Sequence, residues 1–127
     1  MKKITPKYNG ENKGHYTPGI ISNGMLYISG QLSLDTDSKK VPEGGIEAHT
    51  RLALANVERV LEAAGLSRND VVQCRVYVPD IDQWEIVDQV YREFFGEHKP
   101  ARIVVPAGKL HYGCLIEIEA IAEVVEK

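Results

Sequence analysis

Cysteine, tryptophan, phenylalanine and methionine are all scarce in this 127-residue chain, which has two, one, two and two of them. Cys74 and Cys114 lie inside apolar segments without a Cys-x-x-Cys spacing or neighbouring histidines. That argues against a zinc site or a disulfide framework and for buried free thiols. No apolar run approaches the roughly 18 residues of a membrane-spanning helix. Residues 1–7 lack the apolar stretch of a secretory signal, so a cytoplasmic location is expected. A surplus of positive charge is missing as well. The formal net charge is −3 and the lysines and arginines are scattered, so charge gives nucleic-acid binding no support.

What remains has the composition of a soluble globular protein, 43% hydrophobic and 26% charged. The length suits one domain spanning residues 1–127, with enough core to need no covalent staples, and no repeat or long linker divides it. Residues 1–13 are polar and broken by Pro6 and Gly10, a lead-in that at most joins a sheet edge. Ile20 and Ile21, then Asn23-Gly24, then an apolar run from Met25 predict a hairpin, because both turn positions favour φ > 0. That second strand ends at Ser29-Gly30-Gln31, where a glycine marks a bulge or a close approach by another chain or a ligand.

Residues 35–45 read as a loop, and residues 46–64 as a helix with Thr50, Ala53, Val57, Val60 and Ala64 on its buried face and Gly65 as its stop. Residues 71–78 alternate as a strand, with Val72, Cys74, Val76 and Val78 opposite Gln73, Arg75 and Tyr77. A capping box at Asp82 and Glu85 should open a second helix whose buried stripe is Trp84, Val87, Tyr91 and Phe94, closed by Gly96. Two final strands follow, around Ile103, Val104, Val105 and over residues 115–122, and both look buried. The order is β-β-α-β-α-β-β, an α+β fold with a mixed sheet and two helices on one face. The strands carry apolar residues on both faces, so the uncovered face should bury itself in a homo-oligomer.

The last two strands carry charges where a strand should be dry: Arg102 in one, Glu117 and Glu119 in the other. Charged groups are seldom buried without a partner, so these need a counter-ion, a cleft or water. For Glu119 the candidates are solvent or Lys109.

Ser29-Gly30-Gln31, Gly45-Ile46-Glu47, residues 60–65, Phe94-Phe95, Lys99-Pro100-Ala101-Arg102 and residues 117–122 together resemble the RidA/YjgF family, in matching order over about residues 16–122. The resemblance implies a chorismate-mutase-like subunit in a homotrimer with inward-facing sheets and a cleft at each subunit boundary. It also implies cofactor-free, metal-free hydrolysis of reactive enamines and imines such as 2-aminoacrylate to a 2-keto acid and ammonia. Arg102 would hold the α-carboxylate of a 2-imino or 2-keto acid, since a guanidinium binds a carboxylate through two parallel hydrogen bonds. Its alternative is a salt bridge inside the oligomer. Glu117 would orient the attacking water and accept its proton, with Glu119 as the other choice. Tyr16, Ser29, Gly30, Ile103 and Val104 would line the substrate, with backbone N–H groups near Gly30 and Val104 holding its polar atoms.

The chain departs from the family pattern at His15, at Ile103 and Val104, where a hydroxyl and a thiol are frequent, and at Asp88, where asparagine is common. His15 is either a proton-transfer group at the mouth of the site or a solvated loop residue. The other histidines, His49, His98 and His111, suggest no role. Two other functions stay open: a keto-acid-binding regulatory trimer without turnover, and the endoribonuclease or translation-inhibitor activity attributed to some relatives.

Overall fold

The computed structural model of the protein describes residues 1–7 and 14–126. Of the N-terminal lead-in, the part over residues 8–13 lies outside the described residues. The rest begins with β1 (Lys2–Ile4), which joins the sheet at its edge by pairing antiparallel with β2 (Gly19–Ser22). Asn23 (φ 52°) and Gly24 (φ 79°) turn the chain into β3 (Met25–Leu32), the left-handed pair that a two-residue hairpin requires.

Helix α1 (Gly45–Ala63) follows, with Ile46, Thr50, Ala53, Val57 and Val60 buried. Gly65 and Leu66 donate back to the carbonyls of Glu62 and Leu61 at 2.9 Å each, closing the helix where the glycine stop was expected. Ser67 and Asp70 form a reciprocal capping box in the next turn, which leads to β4 (Val71–Val78).

The expected box at Asp82 and Glu85 is absent. The Asp80 carboxylate instead accepts the Asp82 N–H at 2.9 Å, winding a short 3-10 turn that runs straight into α2 (Trp84–Phe95) without a side-chain cap. Strands β5 (Ala101–Pro106) and β6 (Glu117–Glu123) complete one six-stranded sheet in the order β1-β2-β3-β6-β4-β5. Among the described residues only the β4–β5 pairing is parallel, so the sheet is mixed.

Both helices lie on one face. Leu26, Ile28, Cys74, Val76, Val78, Ile118, Ala120 and Ala122 are buried beneath them and form one core with Val57, Val60, Leu61, Val87, Val90 and Phe95. Three burial expectations change. Val71, not Val72, enters the core, because two steps on β4 (Val71 to Gln73) answer one on β6 (Ala122 to Ile121); the extra residue leaves Val72 44% exposed. Strand β5 is the outer edge, so its apolar run is not fully covered and Ile103 is exposed. In α2, Val90 and Phe95 are buried while Trp84 is 40% exposed.

Among the described residues no helix is long and apolar enough to cross a membrane. His49, which suggested no role, is buried with its Nδ1 2.6 Å from Ser33 Oγ and 3.2 Å from the Leu115 N–H. It ties α1 to the end of β3 and to the lead-in of β6. Burial holds its pKa below the ordinary 6.5, so it stays a neutral acceptor there.

Candidate functional site

The candidate residues fall into two groups. In the first, three steps on β3 (Ile28 to Gln31) answer two on β6 (Ala120 to Ile118), so the strand bulges at Ser29 and Gly30. The bulge reading holds, and the group that approaches the glycine closely is a side chain of the same chain. A Cβ on Gly30 would stand 2.6 Å from Glu117 Oε2, so the missing side chain is what lets that carboxylate lie against β3. The Ser29 hydroxyl donates to the Thr17 carbonyl at 2.6 Å and its N–H to the Pro18 carbonyl at 2.9 Å. These bonds fasten the loop carrying Tyr16, itself exposed, beside the bulge. His15 is exposed on that loop, and among the described residues no hydrogen bond or ion pair ties it to Glu117 or Arg102.

Glu117 and Glu119 share the face of β6 that no helix covers, yet they differ. Glu119 accepts the Tyr77 hydroxyl at 2.7 Å and faces Arg75 at 3.5 Å, so its partners are neither solvent alone nor Lys109. Glu117 is half-buried, and among the described residues its carboxylate accepts no hydrogen bond. Burial first, and the charge of Glu119 second, raise its pKa above the ordinary carboxyl value, with His111 pulling weakly the other way. A partly dry carboxylate of raised pKa is suited to taking a proton from water.

The second group is built on the outer edge of the sheet. Arg102 is in register with Cys74, whose thiol is buried under the helices, so its side chain turns to the covered side and meets α2. Its Nη1 lies 3.0 Å from Asp88 Oδ1, with the two side chains 21% and 20% exposed. Asp88 also takes Arg92 Nη2 on its other oxygen at 2.8 Å; Arg92 first and Arg102 next hold its carboxyl below the ordinary range. The Arg102 guanidinium stands 5.0 Å from the Tyr91 ring and 5.3 Å from the Trp84 ring. Beyond these contacts its N–H groups have no partner among the described residues. Below it, burial pushes the Cys74 thiol up to about 11, which makes it a poor nucleophile.

The predicted core stripe of α2 holds for Tyr91, which is buried, but not for Trp84, and it does not announce that both rings stand beside Arg102. The signal was present: residues 84, 88 and 91 share one helix face, and an acid inside an apolar stripe calls for a cation opposite it. Ile103 and Val104 point to opposite sides, Ile103 to the open face and Val104 onto the core, so Val104 offers a ligand its backbone alone.

The chain does not bring the two groups together. Arg102 and Glu117 lie on opposite sides of the sheet and two strands apart, roughly 10 Å across the ladder alone. The depression between the helices and the one on the open face contain neither residue. Among the described residues no group of three His, Cys, Asp or Glu side chains is placed to hold a metal ion.

Comparison with known proteins adds a family match. The model of the family described as Endoribonuclease L-PSP matches residues 9–124. A RutC family protein of Pyrococcus horikoshii is 42% identical over 109 residues, covering 86% of each chain. The crystal structure of the Escherichia coli YjgF gene product superposes with a TM-score of 0.89 at 35% identity, covering 97% of this chain and 98% of that one. Escherichia coli TdcF, solved with bound serine, gives a TM-score of 0.89 at 31% identity over 97% and 98% of the two chains.

Proposed function

The chain belongs to the Endoribonuclease L-PSP family, that is, the RidA/YjgF family, and on that premise we propose that it hydrolyses reactive 2-imino acids and their enamines to 2-keto acids and ammonia. The observation that carries this reading is Glu117: half-buried, without a hydrogen-bond partner among the described residues, raised in pKa and lodged against Gly30. Arg102 supplies the second requirement, a guanidinium held in place by two aromatic rings with N–H groups left for a carboxylate. The serine bound in TdcF is a small α-carboxylate ligand of the kind this site would take.

In the reaction, Arg102 holds the α-carboxylate of the substrate and Glu117 holds a water against the imine carbon. The water adds to that carbon as its proton passes to Glu117. On a protonated imine this gives a neutral carbinolamine. Glu117 returns the proton to its nitrogen, and the C–N bond breaks with its electron pair leaving on ammonia. The hydroxyl proton passes to Glu117 as the C=O bond forms and then to ammonia, so that ammonium and the 2-keto acid leave. No cofactor is required by these steps. Because one chain separates Arg102 from Glu117, the reading includes a homotrimer in which the open faces turn inward and a cleft joins Arg102 of one copy to Glu117 of the next. The half-exposed apolar and polar residues of the open face, Tyr27, Tyr77 and Ile121 among them, suit such an interface.

The family description names endoribonuclease activity. The net charge of −3 and the pairing of Arg75, Arg92 and Arg102 with carboxylates support it less well. The test is keto-acid and ammonia release from enzymatically generated 2-aminoacrylate. Acceleration by the wild type that falls about 100-fold in Arg102→Ala and in Glu117→Ala is the expected result. No acceleration with any imino acid overturns the hydrolase, and a stable monomer in sedimentation overturns the shared cleft.

A further inference from the structure

The carboxylate beside Arg102 has a consequence for the ligand. Arg102 and Asp88 form a cation and an anion 3.0 Å apart, each about one-fifth exposed, at the outer edge of the sheet. A ligand carrying only a carboxylate meets a guanidinium already partly neutralised, with a second carboxylate close by that repels it. A ligand with a positive nitrogen next to its carboxylate lies head-to-tail along the pair, each of its charges opposite the complementary one. Asp88 has acceptor capacity left after Arg92 and Arg102, because a carboxylate offers about four lone-pair sites. The rings of Trp84 and Tyr91 are taken by the Arg102 guanidinium, which holds that cation beside Asp88 and leaves Asp88 as the group that faces a second positive charge.

We propose that Asp88 makes this a site for doubly charged ligands, selecting ammonium or iminium acids over hydroxy and keto acids of the same shape. The inference rests on the α-carboxylate reading of Arg102 given above. It assigns Asp88 two tasks in the same reaction. Accepting an N–H bond from the substrate nitrogen, it favours the protonated imine, whose carbon is the better electrophile for water. Once ammonia has left, the keto acid has no positive group to offset Asp88, and its release is favoured.

The test uses L-serine and L-glycerate, which differ by an amino and a hydroxyl group, titrated calorimetrically into the full-length assembled protein. The wild type should bind serine about tenfold more tightly than glycerate. In Asp88→Asn serine should weaken and glycerate tighten until the preference is gone, while Asp88→Glu, which keeps the charge, should retain it. A wild type that binds glycerate as well as serine overturns the inference, as does an unchanged preference in Asp88→Asn. If neither probe binds, or binding survives Arg102→Ala, the carboxylate reading of Arg102 fails and takes this inference with it. Binding that depends on Arg102 without depending on Asp88 overturns the inference alone.

Discussion

The two faces of the sheet are made by alternate residues of the same strands, and they have opposite characters. On β6, Ile118, Ala120 and Ala122 are buried under the helices, while Glu117, Glu119 and Ile121 between them are half-exposed on the other side. Strand β4 repeats the contrast, with Cys74, Val76 and Val78 against Gln73, Arg75 and Tyr77. Strand propensity does not separate these sets, since both lie on the same backbone; the presence of α1 and α2 over one face does. A carboxylate on the covered face would be stranded without solvent. On the open face of β6 carboxylates survive: Glu119 is satisfied by Tyr77 and Arg75, Glu123 is exposed, and Glu117 is half-buried with no hydrogen-bond partner among the described residues.

This contrast breaks most readily through stability. Ile118→Ala should cost about 2–5 kcal/mol by urea denaturation, because it empties a fully buried position, whereas Ile121→Ala, measured with the chain dilute enough to be monomeric, should cost far less. Equal losses would mean that the open face is as much a core as the covered one.

Glu117→Gln comes next and separates activity from stability. Imine hydrolysis should fall about 100-fold or more. Stability should move the other way. The folded-state pKa of Glu117 is raised above 4.5, so the folded chain binds the extra proton between that value and its own. The stability this gives is complete below pH 4.5 and is lost as pH rises through the folded pKa. Glutamine removes that loss, so Tm measured for variant and wild type should diverge as pH rises from 4.5 toward 7, with the variant higher. Identical pH profiles would remove the case for Glu117 as a strained base.

Gly30→Ala sharpens the same point with a smaller effect. The new methyl meets Oε2 of Glu117, the free end of a flexible side chain, at 2.6 Å. The carboxylate should swing aside at a stability cost below about 1 kcal/mol, while activity drops roughly tenfold because the base is misplaced. Unchanged turnover would show that the contact does not position Glu117. The smallest effect belongs to Glu119→Ala, which breaks a half-exposed hydrogen bond and ion pair and should change unfolding free energy by about 0.5–1 kcal/mol. A large loss of activity in that variant would exchange the roles of the two glutamates.

Much of this frame was legible along the chain because its signals are local. Asn23-Gly24 forced its turn, Gly65 its helix stop, and period-two alternation placed Ile118 and Ala120 opposite Glu117 and Glu119. The errors arose where one local signal overrode another. Asp80 captured the Asp82 N–H before Asp82 could cap a helix, and an extra residue at Val72 broke the alternation of β4. The partners of the charged residues were less accessible, because each is set by a segment distant in sequence. Tyr77 reaches Glu119 across 42 residues. Asp88 reaches Arg102 from a helix onto a strand, and only the helix-face spacing of Trp84, Asp88 and Tyr91 hinted at it.

The sequence by itself determined the element order from the hairpin onward, the hairpin itself, the apolar face of α1, the family and the presence of charges in two strands that ought to be dry. All of these depend on neighbours within a few residues or on a pattern repeated along the chain. Only the tertiary structure decided that Arg102 turns to the helix side and Glu117 to the open side, that Asp88 is the counter-ion of Arg102, and that Gly30 makes room for Glu117. Those facts depend on strand order, on bulge positions and on which strand lies at the edge, and such properties arise when distant segments pack together in space.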